Sequence, residues 1–214
     1  MLTVHGAPVS PFVRKAPVVL EEKGIPYDLV PVFPFGPNPE FRRISPLGKI
    51  PAITEGGHSL CDSSVIAAFL ERAHPEPPLL PSDPWEAGRA LWIEEYADTA
   101  MVNVIGAKIF FPRVVGPRFM NQPADEAAIG RAVAELLPPL FDYLEGEIRH
   151  DGHFAGGRFS LADASVASQL VNLRYAGVEV DAARWPKLAA HFAATVARPS
   201  FATLLERERA VVGG

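Results

Sequence analysis

Between residues 74 and 81 the chain reads His74-Pro75-Glu76-Pro77-Pro78-Leu79-Leu80-Pro81, four prolines in eight residues. Proline removes a backbone donor and its ring clashes with the preceding turn, so no helix crosses this stretch, which acts as an extended spacer. The patterning differs on its two sides: short strands mixed with helices before it, helical periodicity alone after it. With 214 residues and 48% hydrophobic content, the chain can bury two cores of ordinary size. The sequence therefore divides into a mixed domain over residues 1–75, a proline-rich linker over 76–83 and an all-helical domain over 84–214.

In the first part, Leu2-Thr3-Val4-His5 forms a short strand ended by Gly6 and Pro8. Ser10 is placed as an N-cap, with Pro11 at the first helical position, where a missing N–H costs nothing. Val13, Ala16, Val19 and Leu20 then give a helical apolar face up to Lys23, and Gly24 stops it; Pro17 is an irregularity in that helix. Residues 27–32 read as a second strand, parallel to the first because a helix connects them. A loop over 31–39, rich in proline, carries Phe33 and Phe35, and a short helix follows over 38–44.

The stretch that organises this part is Gly48-Lys49-Ile50-Pro51-Ala52-Ile53 with Ser59-Leu60-Cys61-Asp62-Ser63-Ser64-Val65-Ile66 after a Gly56-Gly57 turn. A strand starting at proline, a hairpin and a helix opening at an acidic and hydroxyl pair are the elements implied. Proline suits the start of a strand, where no ladder donor is needed, and a cis bond at Ile50-Pro51 is expected to leave the Ile50 N–H and C=O free for a peptide laid alongside. The helix start at Asp62 and Ser63 has open N–H groups and the positive dipole end, which favour an anion. An ordinary hairpin running into a capped helix accounts for the same residues.

After the linker, Ser82 or Asp83 caps a helix through Trp85, Leu91, Trp92 and Tyr96 towards Ile109. Residues 110–123, with Pro112, Gly116, Pro117 and Pro123, read as an irregular segment and a candidate lid. A second long helix over 124–146 is expected to kink near Leu137, where Pro138-Pro139 interrupt it. Ser160-Leu161-Ala162-Asp163 is a capping box with Asp in the place of Glu, opening a nearly all-apolar helix to about residue 173 that forms the buried centre of this part. Pro186 and Pro199 open two more helices.

Lys and Arg number 20 against 25 Asp and Glu, a net charge of −5 with no long basic run, which excludes nucleic acid as the expected partner. Cys61 is the single cysteine, so neither an internal disulfide nor a cysteine metal cluster forms, and it is read as a buried strand residue. Of the six histidines only His150 and His153 are close, a spacing of a polar loop more than of a metal site; no metal is expected. The start of the chain lacks a signal core, and no apolar run approaches the ~20 residues of a membrane span. A reducing cytoplasm, with no membrane contact, is the expected setting.

The order β-α-β-α-β-β-α, thioredoxin-like, followed by a proline linker and helices, resembles a cytosolic glutathione transferase over the whole chain. The resemblance rests on Ser10-Pro11-Phe12-Val13-Arg14-Lys15, similar to the first helix of serine-type, bacterial-like members, and on Ser45-Pro46-Leu47-Gly48-Lys49-Ile50-Pro51, similar to the family's N-P-x-G-x-[VI]-P with Ser for Asn. Asp62-Ser63 and the Ser160–Asp163 box resemble its acidic-serine pair and buried capping box. It implies glutathione extended along residues 49–51, paired through the Ile50 backbone beside cis-Pro51. Ser63 would take the γ-glutamyl carboxylate, Asp62 the ammonium and Lys49 a carboxylate. Ser10 would stabilise the thiolate, since a free thiol with a pKa near ~8.5 is only slightly ionised at neutral pH; Thr3 and Tyr27 are other hydroxyls nearby. A small hydrophobic electrophile would lie between the domains, near Phe12, Phe35, Met101, Ile105 and Lys108, and a homodimer is implied.

Two other readings stay open. A glutathione-dependent cis-trans isomerase of this fold has an Arg in a place compatible with Arg14, but carries a Ser-Ser-Cys run where this chain has Val9-Ser10-Pro11. A non-catalytic interaction protein of the same fold tends to lose the acidic-serine pair kept here.

Overall fold

The computed structural model describes residues 1–212. It contains two compact units, one of residues 1–79 joined by the segment from Arg198 onward, the other of residues 80–197. The first unit holds a four-stranded sheet, β1 (Leu2–His5), β2 (Tyr27–Val30), β3 (Ala52–Glu55) and β4 (His58–Cys61), with helices α1 (Pro11–Glu22) and α2 (Pro39–Ile44) between strands and α3 (Ser63–Ala73) after β4. Strand order is β2-β1-β3-β4. β1 pairs parallel with β2, Val4 opposite Leu29, and antiparallel with β3, Val4 opposite Ile53; β3 and β4 form the hairpin, Ala52 opposite Cys61. This is the thioredoxin-like order expected, because the one long crossover, α1, sits between the parallel pair.

Alternation along β1 buries Leu2 and Val4, and they meet the α1 stripe of Val13, Ala16 and Leu20 together with Ile53, Ile66 and Leu70. Helix α1 runs through Pro17 and ends at Lys23, with Gly24 at φ 65°, a left-handed conformation that glycine adopts without strain. The Lys23 ammonium donates to the carbonyls of His74 and Pro77 and pairs with Glu71, so it holds the first prolines of the linker against α3.

The second unit is helical: α4 (Pro84–Tyr96), a wide-turn segment of i→i+5 bonding (Ala97–Val115), α5 (Gly116–Phe119), α6 (Glu126–Arg131), a short wide-turn segment (Ala132–Leu136), α7 (Leu137–Glu147), α8 (Leu161–Tyr175) and α9 (Pro186–Val196). Asp83, not Ser82, is the cap of α4. Two expectations are corrected. Residues 110–119 are not irregular: helical structure continues to Phe119 through Pro112, which leaves only 120–125 as a connection and removes the basis for a lid over 110–123. The continuous helix Pro84–Phe119, 36 residues, is by length and composition apolar enough to cross a membrane, which the sequence reading missed because its apolar residues are spaced and not contiguous. Within its own unit Met101, Ile105 and Ile109 recur every fourth residue as a buried stripe, and the segment packs on α8.

Every residue from Leu161 to Leu173 is buried. The Ser160 capping box is formed as expected, with both the Ser160 N–H and its hydroxyl donating to Asp163 Oδ2 at 2.7 Å. At Leu136–Leu137 the helix changes its bonding pattern just before Pro138-Pro139 remove two donors, which is where a kink was placed. Helix α10 (Pro199–Val212) belongs to the first unit and packs on α1, whereas the sequence division ran the helical domain to residue 214.

Candidate functional site

Three turns of the first unit are tied together at one end of the strands, where His5, Ala52 and Cys61 lie in register. A Cβ at Gly6 would stand 2.4 Å from Val13 Cγ2 and 3.3 Å from Ile50 Cβ, so only glycine lets the first turn of α1 and Ile50 lie side by side. The Asp62 N–H donates to the Pro51 carbonyl at 3.3 Å, which joins the 50–51 turn to the start of α3. Ser10, Ile50-Pro51 and Asp62-Ser63 are thereby gathered from three separate places in the sequence.

Ser10 caps α1 with an extended backbone, and its Oγ accepts from the Val13 N–H at 3.4 Å, longer than an ordinary amide bond of about 2.9–3.0 Å. The hydroxyl is half-buried and its proton is left to donate, while Pro11 supplies no N–H at this point. Of the other hydroxyls, Thr3 is held in β1, and the Tyr27 OH donates to Glu21 Oε1 at 3.1 Å. Burial and then the Glu21 charge push the Tyr27 phenol well above its ordinary value, so it stays neutral.

The Ile50-Pro51 bond is cis, and among the described residues the Ile50 N–H and C=O make no hydrogen bond. Ser45 explains the turn before it: its buried hydroxyl donates to the Lys49 carbonyl at 2.7 Å and its own carbonyl accepts from the Gly48 N–H. Lys49 is exposed. Asp62, at φ 78°, caps α3 through Oδ1, which accepts from the Ser64 and Val65 N–H groups at 2.9 and 3.2 Å. A non-glycine residue in the left-handed region carries backbone strain of about 1–3 kcal/mol, and such strain gathers at ligand clamps. Ser63 beside it is 3% exposed, and among the described residues neither its N–H nor its hydroxyl makes a hydrogen bond.

Family models of the "Glutathione S-transferase, N-terminal domain" and the "Glutathione S-transferase, C-terminal domain" match residues 4–78 and 126–194. Glutathione S-transferase 3 of Zea mays is 31% identical over 207 residues, covering 94% of this chain and 91% of the relative. The chain belongs to the glutathione S-transferase family. The FtsZ-localized protein A of Caulobacter vibrioides is 28% identical over 82% of this chain and 78% of its own. A glutathione S-transferase of Methylobacterium radiotolerans, solved in complex with glutathione sulfonate, superposes with a TM-score of 0.77 at 30% identity over 94% of this chain and 93% of that one.

The remaining sequence candidates of this family member fall in different places. Phe12 is half-buried and Phe35 exposed in the first unit; Met101 and Ile105 are fully buried in the second, where they pack the wide-turn helix, and Lys108 is exposed. Lys108 lines a cavity of about 390 Å³ with Pro112, Ala128, Ile129, Arg131 and Leu136, all of its own unit. Cys61 is half-exposed at the end of β4 and donates to the Ile44 carbonyl at 3.1 Å, which corrects the expectation of a buried thiol. Arg14 is 1% exposed and grips Glu208 of α10 with Nε and Nη2 at 2.7 and 2.6 Å, so its guanidinium is spent inside the unit. Sequence reasoning passed over Lys15, which is buried at the start of α3; the one signal was a lysine set within the apolar stripe of α1.

Proposed function

We propose that this glutathione S-transferase family member is a serine-type transferase that activates the glutathione thiol for attack on a small hydrophobic electrophile. The observation that carries the reading is the set of unspent polar groups beside one another in the first unit, the Ile50 N–H and C=O and the Ser63 N–H and hydroxyl. Glutathione extends along residues 49–51, its cysteinyl unit pairing with Ile50. Ser63 takes the γ-glutamyl carboxylate at the helix N-terminus, Asp62 the ammonium, and Lys49 a carboxylate. The sulfur then lies towards Ser10, whose hydroxyl donates to the thiolate as the thiol proton leaves to solvent. Lowering the thiol pKa by about two units from ~8.5 makes most of the bound thiol ionised at neutral pH. The sulfur lone pair forms the new bond to the electrophile, and the displaced group leaves with its electrons; a peroxide accepts the same attack at oxygen. Phe12, two residues from Ser10, and the exposed Phe35 are the proposed apolar contacts in this unit.

The complex of the Methylobacterium relative with glutathione sulfonate supports the choice of peptide. The isomerase reading loses its Arg14, whose guanidinium is locked to Glu208. The relative FtsZ-localized protein A keeps alive a second reading, an interaction protein that binds glutathione and transfers nothing. We further propose a cytoplasmic homodimer, supported by exposed apolar side chains on α3 (Val65, Phe69) and on α4 (Trp85, Leu91, Trp92); sedimentation as a stable monomer at micromolar concentration contradicts it.

Calorimetric titration of glutathione into wild type and Ser10→Ala, with the thiol pKa of the bound ligand, tests the reading. Both proteins bind, and only wild type lowers the thiol pKa. A wild type that does not bind glutathione removes the transferase reading, and binding without turnover leaves the interaction protein.

A further inference from the structure

Gly6 follows β1 without a positive φ, so its backbone conformation is one that any residue adopts. At such a position alanine ordinarily stabilises a chain by reducing the freedom of its unfolded state. What calls for glycine here is therefore space, and the space is claimed from two sides. A Cβ would stand 2.4 and 3.1 Å from the two γ-carbons of Val13, and 3.3 Å from Ile50 Cβ. Carbon atoms rest at about 3.5–4.0 Å, so the Val13 contact is a collision and the Ile50 contact a slight pressure.

None of the three residues yields easily. The Gly6 N–H donates to the Val30 carbonyl at 3.0 Å, which fixes the glycine to β2. Val13 is fully buried, and a β-branched side chain in a helix has one strongly preferred χ1. Ile50 lies between two held carbonyls: the Ser45 hydroxyl donates to that of Lys49 at 2.7 Å, and the Asp62 N–H to that of Pro51 at 3.3 Å. The Val13 N–H in turn donates to Ser10 Oγ, so the valine and the cap move together. A methyl group at position 6 therefore pushes the first turn of α1, with Ser10, away from Ile50.

We infer that Gly6 is a positioning residue for the thiol-activating step: by carrying no Cβ, it keeps the Ser10 hydroxyl close enough to Ile50 to reach the sulfur of a cysteinyl unit paired there. This rests on the glutathione reading above. The groups assigned to holding the peptide lie in the turn at Ile50 and at the start of α3, not on α1. Displacing α1 accordingly leaves affinity in place and removes activation, and small misplacements of a reacting group are costly in rate.

The test uses the full chain as wild type, Gly6→Ala and Gly6→Ala/Val13→Ala. Glutathione is titrated calorimetrically, the bound-thiol pKa is read from thiolate absorbance, and turnover with chlorodinitrobenzene is followed against pH. Gly6→Ala keeps Kd within about threefold of wild type, while its bound-thiol pKa rises by about one unit and the acid limb of turnover rises with it. At about pH 6.5 its kcat at saturating glutathione falls about fivefold, and the gap closes above about pH 9, where both thiols are ionised. Gly6→Ala/Val13→Ala has room for the methyl group: its thiol pKa returns to the wild-type value although it melts below wild type for its lost buried carbons. A merely structural glycine instead makes activity follow stability at every pH. If Gly6→Ala does not fold, Gly6→Ala/Val13→Ser, with one γ atom where valine has two, takes its place and shows a thiol pKa above that of the double alanine variant. A thiol pKa that does not rise in the folded variant, or a rise that Val13→Ala does not reverse, overturns the inference alone. A wild type that leaves glutathione unbound, or binds it without lowering its thiol pKa, overturns it together with the reading on which it rests.

Discussion

In the proposed glutathione reading, a single hydroxyl separates what folds this chain from what it binds. Ser63 is buried at the start of α3, and among the described residues its hydroxyl makes no hydrogen bond. Removing a hydroxyl with no partner costs the fold little, within about 0.5 kcal/mol, whereas losing one charge-assisted donor to a carboxylate costs a ligand about 1.5–3 kcal/mol. Ser63→Ala is therefore expected to keep the wild-type thermal midpoint and to bind glutathione at least tenfold more weakly by calorimetry. A fall in midpoint with unchanged binding makes Ser63 an ordinary helix residue. The caps at Ser10 and Asp62 and the cis bond before Pro51 were legible in the sequence because caps and X–Pro bonds are written locally, in neighbouring residues. Lys15 and the locked Arg14 were not. Nothing in the neighbouring residues says what covers two basic residues early in a helix, and only the fold brings α3 and α10 to them.

At the scale of elements, α8 shows how far local patterning reaches. The Ser160–Asp163 box was visible three residues apart, and the structure forms it. The full set around Asp163 was not visible: His191 Nε2 lies 2.8 Å from Asp163 Oδ1 from a position 28 residues later, in α9, and His153 Nδ1 stands 3.5 Å away in the loop before α8. Burial alone would raise the Asp163 carboxyl, but hydrogen bonds with His153, His191 and Ser160 and the charge of His191 outweigh it and hold the group well below the ordinary carboxylate value. Since the folded pKa is depressed, the stability it contributes is present above the unfolded value of about 3.9 and is lost as pH falls through that value towards the folded one. Asp163→Asn is expected to unfold about 2–4 kcal/mol more easily at neutral pH. The difference from wild type should shrink on acidification below about pH 4. Urea midpoints across that range measure it, and a difference independent of pH removes the carboxylate from the account. The other miss at this scale, the length of the helix from Pro84 to Phe119, has a backbone cause. Pro112 was taken as a breaker, but it falls in the wide-turn segment, where the Gly116 N–H reaches the Phe111 carbonyl five residues back. A wider turn leaves room for the proline ring that an ordinary turn lacks.

For the whole molecule, chain order and spatial order part company at the C-terminus. The linker marks a change of pattern in the sequence, yet nothing in a helical periodicity says that the last helix returns to the first unit. The tie is made by residues 194 positions apart, Arg14 and Glu208, both nearly fully buried, with Arg198 and Glu22 paired at 2.8 Å beside them. Phe201, Leu204 and Leu205 add a buried apolar face to α10. A chain ending before Arg198 removes both Glu208 and the helix that covers Arg14, a loss of at most about 3–5 kcal/mol. It also removes three apolar side chains worth about 1.5–3 kcal/mol each. Together these approach or exceed the 5–15 kcal/mol that ordinarily holds a domain folded. Such a truncation is expected to unfold the first unit and abolish glutathione binding, although α10 contains none of the residues assigned to the peptide. Glu208→Gln separates charge from packing: it keeps the apolar face, lowers urea stability by about 3 kcal/mol, and recovers most of that when Arg14 is changed to Met in the same chain. Hydrogen exchange resolved by peptide shows where the loss falls. Protection lost in β1–β4 and α1 while α8 stays protected places α10 in the first unit energetically as well as spatially, and protection retained in β1–β4 after truncation shows that the terminal helix is only attached to a unit that folds without it.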